Sequence, residues 1–195
     1  MKLIFATNNQ NKIAEVKTAL SDGLEIITLH EAGINIEIDE PFETLEENAR
    51  EKATVIFGIT KQNCFSEDTG LEVIALDGKP GVKSARYAGD EADNKKNIAL
   101  LLKNMEGLKE RDAQFKTVIC LLLNKQEYLF TGICKGKIND VEQGNMGFGY
   151  DAVFTPEGAD KTFAEMTMDE KNKYSHRKKA LQQLINFLNE YNGKN

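Results

Sequence analysis

The chain has 195 residues, and 25 basic against 31 acidic side chains leave a formal net charge of −6. This length fits one domain, or two small lobes that share a core, and 41% hydrophobic with 29% charged residues is typical of a water-soluble globule. The acidic balance argues against a general nucleic-acid binder, so an anionic ligand would need a local cluster of cations. The longest apolar run, Val118–Leu123, is far shorter than the roughly 20 residues of a membrane span, and the N-terminus lacks the pattern of a signal peptide. We therefore expect a cytoplasmic protein with no membrane partner.

The three cysteines, Cys64, Cys120 and Cys134, contain no C-x-x-C pair and stand among apolar or β-branched neighbours. This pattern favours reduced thiols in the core. The two histidines, His30 and His176, are not at the spacing of a zinc finger, so a structural zinc site is disfavoured.

The first half of the chain alternates strand and helix signals. A strand is predicted at 3–6 and a second at 25–29, with a helix between them. The pattern T-x-x-E at Thr44–Glu47 is a capping box that predicts a second helix. The inward faces of the two helices are Ile13, Val16, Ala19 and Leu20, and then Ala49, Ala53, Ile56 and Phe57.

The second half begins with two predicted strands, 64–66 and 71–76, around a turn at Glu67–Gly70. A helix follows Asp93, and runs at 115–123 and 127–134 predict a hairpin. A glycine-rich loop covers 144–149, Thr167 caps a short helix, and Ser175 caps a longer one. Strand–helix–strand crossovers in the first half, combined with a hairpin in the second half, predict an α/β fold with a mixed sheet flanked by helices. We expect one domain over residues 1–195.

The first candidate site is the polar segment between the first strand and the first helix. Free N–H groups and the helix dipole at such a place attract phosphate, and a lysine ends the segment. Asn and Thr are also ordinary loop and N-cap residues, so this alternative stays open. No P-loop pattern is present. The candidate phosphate ligands are Thr7, Asn8, Asn9, Gln10, Asn11 and Lys12.

The second candidate site is acidic. Glu40, Glu47 and Asp68 offer the hard oxygen ligands that Mg²⁺ takes together with waters and substrate phosphates. Glu47 has an alternative role as the closing residue of the capping box. Lys52 could reach a phosphate, or could only pair with a carboxylate at the surface.

The third candidate site lies towards the C-terminus. Two aromatic residues that flank a glycine can stack on a nucleobase, and His and Arg donors can contact base oxygens. The alternatives are core packing for the aromatic residues and an exposed helix start for the His-Arg pair. The residues are Phe148, Gly149, Tyr150, Asp151, Lys171, His176 and Arg177.

Taken together, these segments resemble the inosine/xanthosine triphosphate pyrophosphatases. The resemblance runs nearly end to end and rests on six ordered motifs. Glu67 and Thr69 stand where Asp and Ser are common in that family, and Ala152 replaces a usual Pro. The motifs are Thr7-Asn8-Asn9 with Lys12, Glu47-Asn48-Ala49 with Lys52, Glu67–Leu71, Pro80–Val82 with Ser84–Tyr87, Gly147–Asp151, and Ser175-His176-Arg177.

The resemblance implies two lobes with the active-site cleft between them, a homodimer and a Mg²⁺ requirement. It implies that Glu40 and Asp68 hold the metal, with Glu47 as a further candidate, and that Asp68 is also the base. Residues 7–12 and Lys52 would bind phosphates, while Thr69, residues 148–151, Lys171, His176 and Arg177 would bind the nucleotide.

The implied reaction converts ITP, dITP or XTP to the monophosphate and pyrophosphate. Two alternatives remain open at this point: a related pyrophosphatase for pyrimidine or standard triphosphates, and a nucleotide-binding protein without catalysis. The presence of Asp68 beside several candidate metal carboxylates disfavours the second, because a mere binder gains little from acids next to phosphates.

Overall fold

A computed structural model describes residues 1–19 and 24–192 of the chain. The fold is mixed α/β, as predicted, with a mixed sheet flanked by helices. The strands are β1 (Lys2–Phe5), β2 (Glu25–Thr28), β3 (Cys64–Val73), β4 (Pro80–Gly81), β5 (Asp112–Leu123), β6 (Gln126–Ile138) and β7 (Phe154–Pro156). The helices are α1 (Gln10–Ala19), α2 (Leu45–Thr60), α3 (Asn94–Asn104), α4 (Met168–Asn172) and α5 (His176–Asn192).

One sheet contains the described strands in the order β2-β1-β3-β5-β6-β7, with β4 paired to β3. β1 runs parallel to β2 and β3, whereas β4 is antiparallel to β3 and β7 is antiparallel to β6. The predicted hairpin between β5 and β6 is confirmed. Its turn consists of Asn124 and Lys125, which both have positive φ, as a tight two-residue hairpin turn requires.

The chain divides into two compact units. Unit 1 comprises Met1–Asp68, Thr117–Gly132 and Arg177–Asn195, and unit 2 comprises Thr69–Lys116 and Ile133–His176. The cleft expected between two lobes stays a prediction.

Each unit has its own apolar core. In unit 1 the inward faces of α1 and α5 pack with β1 and with the apolar residues of β5, and the stacked rings of Phe5 and Phe65 lie in this core. In unit 2 the inward face of α3 packs with Phe115, Phe154 and Phe163. Of the residues predicted to face inward, Phe57 is half-buried, Leu20 lies outside the described residues, and the others are buried: Ile13, Val16, Ala19, Ala49, Ala53 and Ile56.

The predicted turn at Glu67–Gly70 is wrong, because these residues lie inside the ten-residue strand β3. Polar residues followed by glycine are typical of a turn. Here the carboxylates are buried against cations, and Gly70 lets a neighbouring backbone approach. An added Cβ at Gly70 would lie 2.5 Å from the carbonyl oxygen of Gly81 on β4. The predicted strand at 71–76 also ends early, since Ile74–Leu76 form a 3-10 turn.

The three cysteines are free and buried, as predicted. Burial raises the pKa of the thiols of Cys64 and Cys120 to about 12, which makes them poor nucleophiles at neutral pH. Within the described ranges, no helix is both long enough and apolar enough to cross a membrane.

Candidate active site

The polar segment after β1 forms a tight loop that begins α1. The Oδ1 atom of Asn9 accepts hydrogen bonds from the backbone N–H groups of Asn11, at 3.0 Å, and Lys12, at 3.2 Å. Thr7 Oγ1 accepts from the N–H of Asn9 at 3.2 Å, and Gln10 Nε2 donates to the carbonyl oxygen of Asn8 at 3.4 Å. Asn9 therefore caps the helix, so this part of the alternative interpretation is correct. The phosphate-binding role of the segment stays a prediction.

Lys12 lies in the first turn of α1 and reaches Glu67 on β3. Its Nζ is 3.4 Å from Glu67 Oε1, and the lysine side chain is only 15% exposed. Burial lowers the pKa of Lys12, although the carboxylate of Glu67 opposes this shift. A lysine held in this way is a cation in an environment with little water, where its attraction to a phosphate is strong.

Lys52, on α2, holds two carboxylates. Its ammonium donates to Asp68 Oδ1 at 3.2 Å and also forms a short contact with Glu40. Burial works against the charged form of Lys52, but Asp68 and Glu40 outweigh it and raise its pKa. Lys52 is thus a buried charged group, not a lysine in a surface pair. Glu40 and Asp68 are brought together by it.

Asp68 follows Glu67 on β3 and is 6% exposed. Burial raises the pKa of its carboxyl, while Lys52 and Lys12 work in the opposite direction. A carboxylate with a raised proton affinity is suited to accept a proton from water.

Glu47 is placed differently from the other two candidate metal ligands. Its Oε2 accepts from the hydroxyl of Thr44 at 2.7 Å, and its N–H donates to the Thr44 oxygen at 3.2 Å. The cap of α2 is the side chain of Thr44, as predicted, and the Glu47 carboxylate contacts the hydroxyl of this cap. A role for Glu47 as a metal ligand stays a prediction.

Arg177 lies in the first turn of α5 and is 2% exposed. Its Nε donates to both carboxylate oxygens of Glu67, at 2.8 and 3.0 Å, and its Nη1 donates to Glu15 through a short contact. Burial opposes the charge of Arg177, but Glu67 and Glu15 outweigh it and raise its pKa. Arg177 is therefore not the exposed helix start of the alternative interpretation.

Two groups of charges emerge in unit 1. The first is a chain of ion pairs in the order Lys12, Glu67, Arg177 and Glu15, and it contains two cations and two anions. The second, Lys52 with Glu40 and Asp68, has one cation for two anions. The second group therefore carries the negative charge that a metal ion would balance.

Glu40 and Asp68 fit a magnesium ion in their chemistry. Mg²⁺ is bound in proteins by one or two carboxylates together with waters and substrate phosphates, and these two carboxylates converge on one ammonium. In residues 1–19 and 24–192, no three or more His, Cys, Asp or Glu side chains form a metal-binding group. The metal would accordingly need ligands from the substrate and water.

Sequence patterns did not point to Glu15, and Glu67 stood out only as a departure from a family pattern. Both carboxylates bind cations that were predicted for the site, Arg177 and, for Glu67, also Lys12. A signal for Glu15 was available, because it falls on the buried face of α1 beside Val16, where a carboxylate is costly without a partner. Its partner Arg177 is 162 residues away along the chain, so local sequence patterns cannot predict this contact.

Unit 2 contains Lys171 and the aromatic residues that were predicted to bind the nucleotide. Lys171 is 4% exposed, and its Nζ donates to Asp151 Oδ2 at 2.6 Å. The same ammonium lies 5.4 Å from the ring centre of Phe148 and 5.1 Å from that of Phe163, which are cation–π distances. Asp151 also accepts from the N–H of Phe148 at 2.9 Å. Lys171 and Asp151 therefore fix the position of Phe148.

Tyr150 and His176 are both buried within unit 2. Tyr150 donates its hydroxyl to the carbonyl oxygen of Ser84 at 2.8 Å, so its core-packing interpretation is supported. The His176 ring is stacked on Phe115, with 4.7 Å between the ring centres. Gly149 has a φ of 61°, which favours glycine, and Thr69 is half-buried on β3. The nucleotide-binding roles of these residues stay predictions.

The profile of the Ham1 family matches residues 3–187, and the chain belongs to this family. A relative from Flavobacterium johnsoniae, a dITP/XTP pyrophosphatase, is 49% identical over 96% of this chain and 98% of its own length. A dITP/XTP pyrophosphatase from Porphyromonas gingivalis is 44% identical over 96% and 97%.

Solved structures give the same result for the fold. The Ham1 protein of Staphylococcus aureus is similar with a TM-score of 0.88 and 35% identity, over 98% of this chain and all of the other. A nucleoside-triphosphatase / dITP/XTP pyrophosphatase from Mycobacterium abscessus is similar with a TM-score of 0.77 and 37% identity, over 94% of this chain and 98% of the other.

Proposed function

We propose that this protein is a nucleoside-triphosphate pyrophosphatase that hydrolyses the deaminated purine nucleotides ITP, dITP and XTP. The products are the nucleoside monophosphate and pyrophosphate, and the activity removes these nucleotides from the cellular pool. Relatives that are dITP/XTP pyrophosphatases, at 49% and 44% identity over nearly the full chain, support this class of reaction. The proposal includes a Mg²⁺ requirement, a cytoplasmic location and a homodimer.

The observation that supports the proposal most strongly is that carboxylates and lysine ammonium groups converge in unit 1. Lys52 joins Glu40 to Asp68, and Lys12 lies against the neighbouring Glu67. Transfer at a phosphorus atom depends mainly on positioning and on neutralisation of charge. Lysines for the phosphates and carboxylates for a metal and a water are the groups that such a reaction needs.

Each residue has a distinct role in the proposed reaction. A Mg²⁺ ion bound by Glu40 and Asp68 would supply positive charge to the triphosphate. Asp68 orients the attacking water and accepts its proton on a carboxylate oxygen, and the raised pKa of this carboxyl favours that acceptance. Lys12 and Lys52 bind phosphate oxygens and offset their charge as the bond to pyrophosphate breaks.

Base selection follows from hydrogen-bond polarity. Hypoxanthine and xanthine have an oxygen acceptor at position 6, where adenine has an amino donor. Arg177, with His176, would donate to this oxygen, and a donor that meets another donor is left without a partner. Sites that read a polar group in this way can discriminate by about 10⁴-fold.

The experiment that tests the proposed function is turnover of dITP with Mg²⁺ by the wild type and by Asp68→Asn. We expect the substitution to lower kcat by at least about 100-fold, because the water loses its proton acceptor. The matched control is Asp140→Asn, whose side chain is 90% exposed and should leave kcat unchanged. An Asp68→Asn variant within a few-fold of wild type would contradict the role of Asp68.

A further inference from the structure

The motif Glu47-Asn48-Ala49 contains a buried amide to which the proposed reaction assigns no role. Asn48 lies near the start of α2 and is 2% exposed. Asparagine is a poor helix former, so a buried asparagine inside a helix needs a reason in its contacts. Its Oδ1 accepts from the N–H of Phe42 at 2.9 Å, and its Nδ2 donates to the carbonyl oxygen of Phe42 at 3.0 Å. One side chain therefore pairs both backbone polar groups of a single residue.

The segment that Asn48 binds lacks the support of regular secondary structure. Residues 34–41 form neither helix nor strand, and each of residues 30–44 is exposed or half-buried. Phe42 itself is 40% exposed, so packing of its ring does not fix the segment. A second amide, the Nδ2 of Asn8, donates to the carbonyl oxygen of Ile36 at 2.8 Å. Two asparagine side chains thus bind this segment at residues 36 and 42, as a neighbouring strand would in a sheet.

Glu40 lies between these two contacts and two residues before Phe42. The residue between them is Pro41, whose ring fixes its own φ and restricts Glu40 to extended conformations. The backbone from the contact with Asn48 to Glu40 is therefore short and stiff. Because of this stiffness, the position of Phe42 sets the position of the Glu40 backbone.

Asn48 and Lys52 lie on one face of α2. They are four residues apart, which places one above the other on the helix, and both are buried. Asn48 binds the backbone of the segment, while the Lys52 ammonium contacts the carboxylate of Glu40 and lies 3.2 Å from Asp68 Oδ1. A single helical face therefore brings Glu40 to Asp68.

We propose that Asn48 is a positioning residue for the metal site, which holds the segment so that the carboxylate of Glu40 stays beside Asp68. The inference rests on the proposed function, since that function assigns Glu40 and Asp68 to Mg²⁺. Asn48 acts through the backbone of the segment and contributes no ligand to the ion. Loss of its amide should therefore weaken metal binding only while the Glu40 carboxylate is present.

The test compares wild type with Asn48→Leu, which keeps the branched shape without the hydrogen-bonding groups, and with Asn48→Ala, which removes these groups without added bulk. Glu40→Gln removes the carboxylate, and Glu40→Gln combined with Asn48→Leu completes a double-mutant cycle. The matched control is Ile56→Val, which shortens a fully buried side chain two turns further along α2.

Two readouts separate a positioning role from a structural one. The first is the Kd of Mn²⁺ for the protein with bound dIMP, from the EPR signal of the free ion, since Mn²⁺ takes the same kinds of oxygen ligand as Mg²⁺. The second is hydrogen–deuterium exchange of the Phe42 amide, whose N–H donates to Asn48.

For Asn48→Leu and Asn48→Ala we expect the Kd of Mn²⁺ to rise by about tenfold or more, because loss of a group that orients a metal ligand typically costs that much. The Phe42 amide should exchange faster than in wild type. When Glu40→Gln is already present, Asn48→Leu should raise Kd by less than about twofold, because the carboxylate that it positions is gone. Ile56→Val should lower Tm and keep the wild-type Kd and Phe42 exchange.

Three results would overturn the inference alone: an unchanged Kd in both Asn48 variants, unchanged exchange of the Phe42 amide, or the same rise of Kd in the presence of Glu40→Gln. A wild-type protein that binds Mn²⁺ no more tightly than Glu40→Gln would contradict the metal role of Glu40 in the proposed function, and the inference with it.

Discussion

Glu67→Gln removes the carboxylate that joins Lys12 to Arg177 and should lower the stability of the protein strongly. Glu67 is 1% exposed and has contacts of 2.8 and 3.0 Å to Arg177 and of 3.4 Å to Lys12. Removal of one partner from a buried ion pair costs about 3–5 kcal/mol, because the other charge stays buried. For a chain of this length, each 1 kcal/mol lowers Tm by about 2–4 °C, so a fall of roughly 6–20 °C is expected.

The assay is urea unfolding at neutral pH, followed by circular dichroism, with a thermal melt as a second measurement. Glu127→Gln is the matched control, since it removes a carboxylate from an exposed pair with Arg50 and should cost at most about 1 kcal/mol. If Glu67→Gln lost no more free energy of unfolding than this control, the buried chain of ion pairs would not stabilise unit 1 as described.

Two further predictions concern pH and glycine. Arg177 and Lys12 overcome the effect of burial and hold the pKa of Glu67 below its ordinary value of 4.5, so its contribution to stability is present above that pH and is lost as pH falls further. Urea unfolding between pH 6 and 3 should therefore show that the free energy of unfolding falls more steeply in wild type than in Glu67→Gln. Parallel curves for the two proteins would contradict the lowered pKa of Glu67. Gly70→Ala should destabilise by about 1–3 kcal/mol, since its Cβ would lie 2.5 Å from the carbonyl oxygen of Gly81. Gly58→Ala, which meets no atom within 4 Å on α2, should instead stabilise by about 0.5–1 kcal/mol, and equal effects of the two substitutions in thermal melts would refute the steric explanation.

Local patterns in the sequence predicted the fold well. The period of Ile13, Val16 and Ala19 predicted the buried face of α1, and Thr44 predicted the start of α2. These signals depend on neighbours within one or two turns, so the sequence contains them directly. The strand through Glu67 and Asp68 could not be predicted, because two adjacent acids enter a buried strand only when cations from other elements face them.

Four of the charged residues predicted for the site lie in charge pairs, but the partners of these residues were not predicted. Lys12, Lys52, Asp68 and Arg177 were all selected, and all are buried or nearly buried in charge pairs. Which acid binds which cation depends on contacts across up to 162 residues. Periodicity and motif spacing do not describe such contacts, and for this reason Glu15 was missed.

Pyrophosphate release from ITP, XTP, dITP, GTP, ATP, CTP and UTP, each with Mg²⁺ and with a chelator, tests the proposed reaction and its base selection together. We expect turnover of ITP, XTP and dITP that needs the metal, and at most weak turnover of the four standard nucleotides. Equal turnover of all triphosphates, or binding of dITP without release of pyrophosphate, would contradict it.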